Sequence, residues 1–483
     1  MNQMHFTMDG RRISALIIIL YLALSAPLLE AQDLTGIMTI LGMQEEELLP
    51  EQEVERFEHL ARNPVEINMY SASRLLASGL FSQYQVASLL DYRSTYGDIL
   101  SIEELSSVDG FGKPLAEALR PYVSLYSKAL PGQTGRPVLK TETSLRMVFR
   151  PEATYKGKVV LDYGTRASAA VTGSSLGDRK YGYTFHAAMS GRRHLDRLVV
   201  GDFNARFGQG LALWSGFSLS GIAAPSSLYR RPTGISPSSS YSTTGLRGVA
   251  ASLSFGRVTL SALSGMSLPV SGKPLSVTPG VNIGYLMKYG QFSLSAAGNF
   301  KASDSGTMVY DMLKIGLDAR FCFKGTDLFG EVGTDLSGMS MAGLGGAVFR
   351  IGDDSKIGLL GRYYPPSYSK ELTGAVKSGT YARDEAALSL SFERKALVLS
   401  TDLYRKLTEG RDQVKFLATH DIALGGNWTI KPRMSVRYRR GSDLDLKTEL
   451  RTDISWNRVP WSQTVRVDWM RYVGNGFLGY YEL

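Results

Sequence analysis

The sequence predicts an α+β multidomain chain, a small all-helical region followed by a large antiparallel transmembrane β-barrel of about 16 to 20 strands. Three observations predict it. The hydrophobic period changes from helical to alternating after Pro131-Gly132-Gln133-Thr134-Gly135. Charge divides at the same place: residues 33–128 carry 15 Asp and Glu against 7 Lys and Arg, whereas residues 129–483 carry 28 against 45. The chain also opens on a short apolar run of the kind that directs export. With 51 Gly, 25 Tyr, 19 Phe and 20% charged residues, a disordered chain, a coiled coil and a bundle of membrane helices are excluded.

In chain order, Arg11 and Arg12 precede the apolar run from Ile13 to Leu24, and Leu29-Glu30-Ala31 follows it. This is the layout of a cleavable signal peptide over residues 1–31, because Pro27 and Glu30 spoil extension to the ~20 residues an anchor needs. Residues 32–128 form an acidic helical region. Leu48, Phe57 and Leu60 mark a first amphipathic stretch, Leu75, Leu76 and Leu80 a second, and Val86, Leu89, Leu90 and Tyr92 a third. Ser71 and Ser101 are cap candidates, and Asn63-Pro64 separates a leading helix from a compact module.

Within that module, Ile67-Asn68-Met69-Tyr70-Ser71-Ala72, Asp91-Tyr92-Arg93, Tyr96-Gly97-Asp98, Ser101-Ile102-Glu103-Glu104-Leu105, Val108-Asp109-Gly110-Phe111-Gly112-Lys113 and Leu119-Arg120-Pro121-Tyr122-Val123 occur in order. Over residues 63–125 the pattern resembles the paired helix-hairpin-helix domain of competence-type DNA receptors. The resemblance implies that Gly110, Phe111, Gly112 and Lys113 meet a phosphate backbone without reading sequence. The first hairpin departs from the pattern, since Gly79-Leu80-Phe81-Ser82 has one glycine. Residues 63–125 also hold seven acids against four bases. A net negative module starts at a disadvantage toward phosphates, which favours docking on protein over DNA.

After a linker at 129–136, residues 137–483 alternate. Leu145, Met147 and Phe149 oppose Ser144, Arg146 and Arg150, and Leu446, Leu450, Ile454 and Trp456 oppose Lys447, Glu449, Arg451 and Asp453. A soluble sandwich or propeller would bury the apolar face; a transmembrane barrel would turn it to lipid. Export, strand length, and aromatics at strand ends such as Tyr363, Tyr364, Trp428, Trp461 and Trp469 favour the barrel. The run Val199-Val200-Gly201-Asp202-Phe203, continued by Phe207-Gly208-Gln209-Gly210-Leu211-Ala212-Leu213-Trp214-Ser215-Gly216-Phe217, resembles the sequence that follows the helix-hairpin-helix module in a family of outer-membrane proteins of Bacteroidetes-type bacteria. That family's chains carry further strands past the point matching Leu483, so the resemblance implies a barrel left incomplete at its C-terminal edge.

Residues 207–245 do not alternate and are too long for an idle connection. Phe207, Gly208, Gln209, Gly210, Arg230 and Arg231 belong either to a loop folded into the lumen or to an exposed external loop. Gly208-Gln209-Gly210 lacks the Lys-Ser/Thr of a phosphate loop, and a sharp fold of the chain over the wall accounts for its glycines. Mixed charges on neighbouring strands, Arg451 and Asp453 beside Arg466 and Asp468, suit pairing inside a lumen. The single cysteine, Cys322, excludes a disulfide framework, and the five histidines have no motif partners. No catalytic, metal or cofactor residues are expected. The sequence therefore reads as a non-enzymatic outer-membrane barrel with a periplasmic module, acting in transport, envelope assembly or partner docking. Its partners would be membrane lipid and an envelope protein. The alternative is a DNA-uptake component that binds nucleic acid weakly.

Overall fold

The computed structural model describes residues 34–41, 51–127, 138–149, 153–175, 181–192, 194–218, 221–239, 245–267, 275–303, 307–323, 325–352, 354–425, 427–440, 445–458, 461–472 and 477–482. The expected signal segment, the 129–136 linker and Leu48 lie outside them.

Among the described residues six α-helices precede the sheet: α1 (Leu34–Leu41), α2 (Glu51–Arg62), α3 (Ala72–Ala77), α4 (Gln83–Tyr96), α5 (Ile102–Ser107) and α6 (Gly112–Leu119). None is long and apolar enough to cross a membrane. Two parallel two-residue strands, Val65–Glu66 and Val123–Ser124, tie the start of the module to its end. The helices close over Phe57, Ile67, Leu75, Leu80, Leu89, Ile99, Leu105 and Leu119. Their backbone is satisfied from within. Asn68 exchanges two hydrogen bonds of 2.9 Å with the backbone of Ile99, and Arg93 donates to the carbonyls of Ile67, Asn68 and Tyr70. Ser101 caps α5, as its position predicts. Ser71 makes no cap hydrogen bond, whereas Ser82 and Gln85 form a reciprocal capping box at the start of α4.

The described residues from Leu139 onward form one closed antiparallel sheet of twenty-two segments. Two are short offshoots: Gly234–Pro237 pairs with Phe203 to Arg206, and Ile422–Gly425 continues the line of Arg411–His420. The other twenty are the wall strands, at the top of the expected range. The edge expected to remain open is closed, because Phe477–Glu482 lies beside Leu139–Phe149. Closure removes the unpaired backbone groups that an edge would expose.

Alternation assigns the two faces. Ile283, Leu294, Leu317 and Val332 lie opposite one another on four successive strands and are all exposed on the outside. Their neighbours Asn282, Ser293, Asp318 and Glu331 point inward and are buried. This apolar-out, polar-in order is that of a barrel in lipid, where no water competes for the outer side chains. It also sorts the strand-end aromatics: Tyr363 is exposed, but Tyr364 faces inward and donates to the Val376 carbonyl at 2.8 Å. Inside, Arg451 pairs with Asp468 at 2.9 Å and Arg466 with Asp453 at 2.8 Å, each directly across the ladder.

Replacing Leu317 by Arg places a guanidinium in the middle of the apolar row. Reversible unfolding from lipid vesicles is expected to show a loss of about 2–4 kcal/mol. An inward-facing exchange, Ser293→Thr, is expected to stay within about 1 kcal/mol.

Candidate functional site

The two rims of the barrel differ. One is built of tight turns, such as 256–257, 288–289 and 395–396, and the other carries the long connections 207–245 and 365–384. The helical module sits at the tight-turn rim. There Asp91 meets Lys288 at 2.8 Å and accepts from the Tyr289 hydroxyl at 2.9 Å, while Arg350 lies 4.2 Å from the Tyr84 ring centre.

From this rim α2 enters the lumen, and its sequence explains how it can. Phe57 and Leu60 face the module core, Phe57 edge-on to Tyr122 at 5.0 Å. Glu55, Glu58 and Arg62, spaced three and four residues apart, form the opposite stripe. That stripe meets complementary charge on the inner wall: Glu55 with Lys156, Glu58 with Lys158 at 3.8 Å, and Arg62 with Glu142 at 2.7 Å and Asp162 at 3.2 Å. Glu53 is shared between Arg206 and Arg56. Burial alone would raise the Glu53 carboxyl, but the two guanidinium charges and their hydrogen bonds outweigh it and hold it down to about 2.

From the opposite rim, residues 207–218 and 221–239 fold into the barrel. Gly208 and Gly210 adopt φ of +61° and +90°, a left-handed alternation open to glycine, and it turns successive backbone N–H groups toward one point. At that point stands the carboxylate of Glu331, on the inner face of Thr326–Asp335. It accepts from the N–H of Gln209 at 2.5 Å, Leu211 at 3.2 Å and Ala212 at 3.2 Å. Gly208-Gln209-Gly210 is thus an anion cradle after all, and its anion is a side chain of the same protein. The sharp fold expected at these glycines is present, and the N–H groups it turns inward take this carboxylate.

A second inserted loop, 365–384, locks the first. The Gly210 carbonyl accepts from the N–H of Gly374 at 2.8 Å and of Ala375 at 3.1 Å, and the Tyr368 hydroxyl donates to the Leu211 carbonyl at 3.0 Å. Arg230 donates from Nε to the Gly374 carbonyl at 2.8 Å, and its own N–H is held by Gln209 Oε1 at 2.8 Å. Lys314, fully buried on the inner wall, donates to the carbonyls of Ser369 at 2.7 Å and Glu371 at 2.8 Å. Sequence reasoning passed over this loop. Its signal was Pro365-Pro366-Ser367-Tyr368, which ends the alternation and opens about 20 residues without strand character.

Of the other residues singled out by sequence, Phe207 is buried beside the inner wall, and Arg231 donates to the Leu80 carbonyl at 3.2 Å, tying the inserted loop to the module. The hairpin residues lie elsewhere. Gly110 is packed beneath the Tyr84 ring and its carbonyl accepts from Gln85, Phe111 is buried against Phe81, and Gly112 and Lys113 are exposed. Pro114 follows, so the start of α6 has one N–H fewer to offer an anion. Among the described residues no group of three or more His, Cys, Asp or Glu could hold a metal ion.

No family model matches the sequence, and no curated protein does. Solved structures of similar shape are outer-membrane barrels. Wzi of Escherichia coli, an outer-membrane protein involved in group 1 capsule assembly and described as a carbohydrate-binding β-barrel, is 10% identical. The match covers 93% of this chain and 96% of that one, with a TM-score of 0.37. A BenF-like porin of Pseudomonas fluorescens Pf-5 is 10% identical over 71% of this chain and 96% of that one, at 0.32. OccK3 of Pseudomonas aeruginosa is 11% identical over 70% and 91%, at 0.32. The assignment as a barrel stands on the closed sheet itself.

Two substitutions address the cradle. Gly210→Ala would bring its Cβ within 2.8 Å of the Ala375 nitrogen and the Gly374 carbonyl carbon. Glu331→Gln removes the charge the three N–H groups share. Each is expected to cost about 1–3 kcal/mol and to expose residues 207–239 to protease in the intact barrel, as read by fragment mass.

Proposed function

We propose that this chain is a non-enzymatic outer-membrane β-barrel, closed at rest, that acts in transport, envelope assembly or partner docking through release of its inserted segments. One observation carries this reading: the lumen is crossed by two loops hydrogen-bonded to each other at Gly210 and Gly374, and α2 fills it from the other rim. An open diffusion pore has no need of such a seal. The apolar outer face and the closed sheet support residence in lipid. Tight turns at periplasmic ends are the rule in such barrels, and this supports a periplasmic module. In the same reading the module is a helix-hairpin-helix scaffold, with α3 and α4 around one turn and α5 and α6 around the other, and the protein surface it docks on is its own barrel.

The chain is expected to fractionate with outer membranes and resist carbonate extraction. In planar bilayers the full chain should conduct little, and replacing 217–243 by a short Gly-Ser linker should raise single-channel conductance. Equal conductance before and after the replacement would refute the closed-barrel reading.

The exposed Gly112 and Lys113 at the start of α6 favour a second reading, a DNA-uptake component. Two N–H groups and one lysine neutralise one or two phosphates, Asp109 is exposed beside them, and Pro114 adds no donor. The full chain in detergent is therefore expected to bind duplex DNA no tighter than roughly 10⁻⁴ M at physiological salt. Micromolar anisotropy binding that disappears with Lys113→Glu would replace the first reading with this one.

A further inference from the structure

Between the module, the inner wall and the first inserted loop lies a cavity of about 260 Å³. Each of the three contributes to its lining: Arg74 from α3, Arg197, Asn204, Arg206 and Arg320 from the wall, and Thr233 from the loop. At roughly 10–15 Å³ for one water-sized sphere, it has room for a solute far larger than a few waters.

The charge in this cavity is unbalanced. Its lining holds Arg56, Arg62, Arg74, Arg197, Arg206 and Arg320 against two carboxylates: Glu55, paired with Lys156, and Asp196, which accepts from the Ser254 hydroxyl and keeps its charge. Arg74 and Arg197 have no carboxylate within 4.0 Å among the described residues. Arg74 lies over the Tyr70 ring at 4.0 Å, and Arg197 gives one N–H to the Ile235 carbonyl at 3.0 Å. Both side chains line the same cavity. Holding two like charges together in a partly enclosed space is costly unless an anion sits between them.

A second observation points to the same place. Five buried polar atoms that find no partner among the described residues belong to residues lining this cavity: Asn63 Nδ2, Arg206 Nε, Arg320 Nη2, Thr233 Oγ1 and Asn204 Oδ1. All five residues are about nine-tenths buried or more. The two guanidinium nitrogens require an acceptor, the amide oxygen requires a donor, and the hydroxyl serves as either. A bare carboxylate or phosphate accepts only. A ligand matched to this lining carries an anionic group for Arg74 and Arg197 together with hydroxyls for the polar side chains around them, among them Ser190, Ser252, Ser293 and Gln291.

We propose that this cavity binds a hydroxylated organic anion of monosaccharide size, a uronate or a sugar phosphate, with its charged group on Arg74 and Arg197. The site goes beyond the closed-barrel reading and is measured independently of it, since binding is read whether or not the barrel conducts.

The test is calorimetric titration of the full chain in detergent with glucuronate, glucose 6-phosphate, glucose and inorganic phosphate. Saturable binding of glucuronate or glucose 6-phosphate is expected, with glucose and inorganic phosphate each weaker by about tenfold or more. Arg197→Gln and Arg74→Gln should each weaken the bound anion by a similar factor, and Arg197→Lys should retain part of the affinity. The Arg74 side chain makes no hydrogen bond among the described residues, so Arg74→Gln carries the test should Arg197→Gln fail to assemble. Absence of saturable binding to the unmodified chain overturns the proposal. So does unchanged affinity in Arg74→Gln, and so does inorganic phosphate binding as tightly as the sugar anions.

Discussion

A carboxylate buried inside a barrel wall must find donors there, and Glu331 finds three in the backbone of a loop that starts on another strand. Much of the lumen's order follows from that constraint. The N–H groups of Gln209, Leu211 and Ala212 converge only if Gly208 and Gly210 take the left-handed conformations that they do. With the cradle formed, the Gly210 carbonyl receives the N–H groups of Gly374 and Ala375 of the second loop. Arg230 and Lys314 then satisfy carbonyls that the two loops would otherwise leave unpaired away from water.

At the other rim the governing quantity is charge. Residues 33–128 are acidic and the rest of the chain is basic, and the structure shows where part of that imbalance is met. Glu53, Glu55 and Glu58 of α2 stand against Arg206, Lys156 and Lys158 of the inner wall, and Asp91 against Lys288 at the rim. Exposed pairs of this kind contribute little, but the Glu53 and Arg206 side chains are buried, and removing one partner would strand the other. The attraction therefore fixes where α2 lies more than it adds to stability. The basic excess, which by sequence fits anionic headgroups at the rim, is in part matched by the chain's own module.

Cavity and seals share walls. Arg206 holds Glu53 through one nitrogen and also lines the cavity, and Thr233 belongs to the same loop that carries the Glu331 cradle. A solute in the cavity would touch module, wall and loop together, so its binding energy would bear on whether the three stay assembled.

What the sequence by itself determined is everything written in local periodicity. Alternation in stretches such as Leu446 to Trp456 states which side chains face out, because a strand's side chains change face at every residue whatever the strand pairs with. Helical spacing placed Phe57, Leu75 and Leu89 in a core, and the length of 207–245 marked it as more than a connection. Tertiary structure alone decided the rest. Nothing near Glu331 announces that its partners lie about 120 residues away, and Gly208-Gln209-Gly210 reads as a turn until that carboxylate is beside it. Closure between Phe477–Glu482 and Leu139–Phe149 joins the two ends of the sheet, a pairing without local signature. The docking of α2 was equally hidden. A stripe of Glu55, Glu58 and Arg62 looks the same on a solvated helix as on one matched to Lys156, Lys158 and Asp162, since the match exists only in three dimensions.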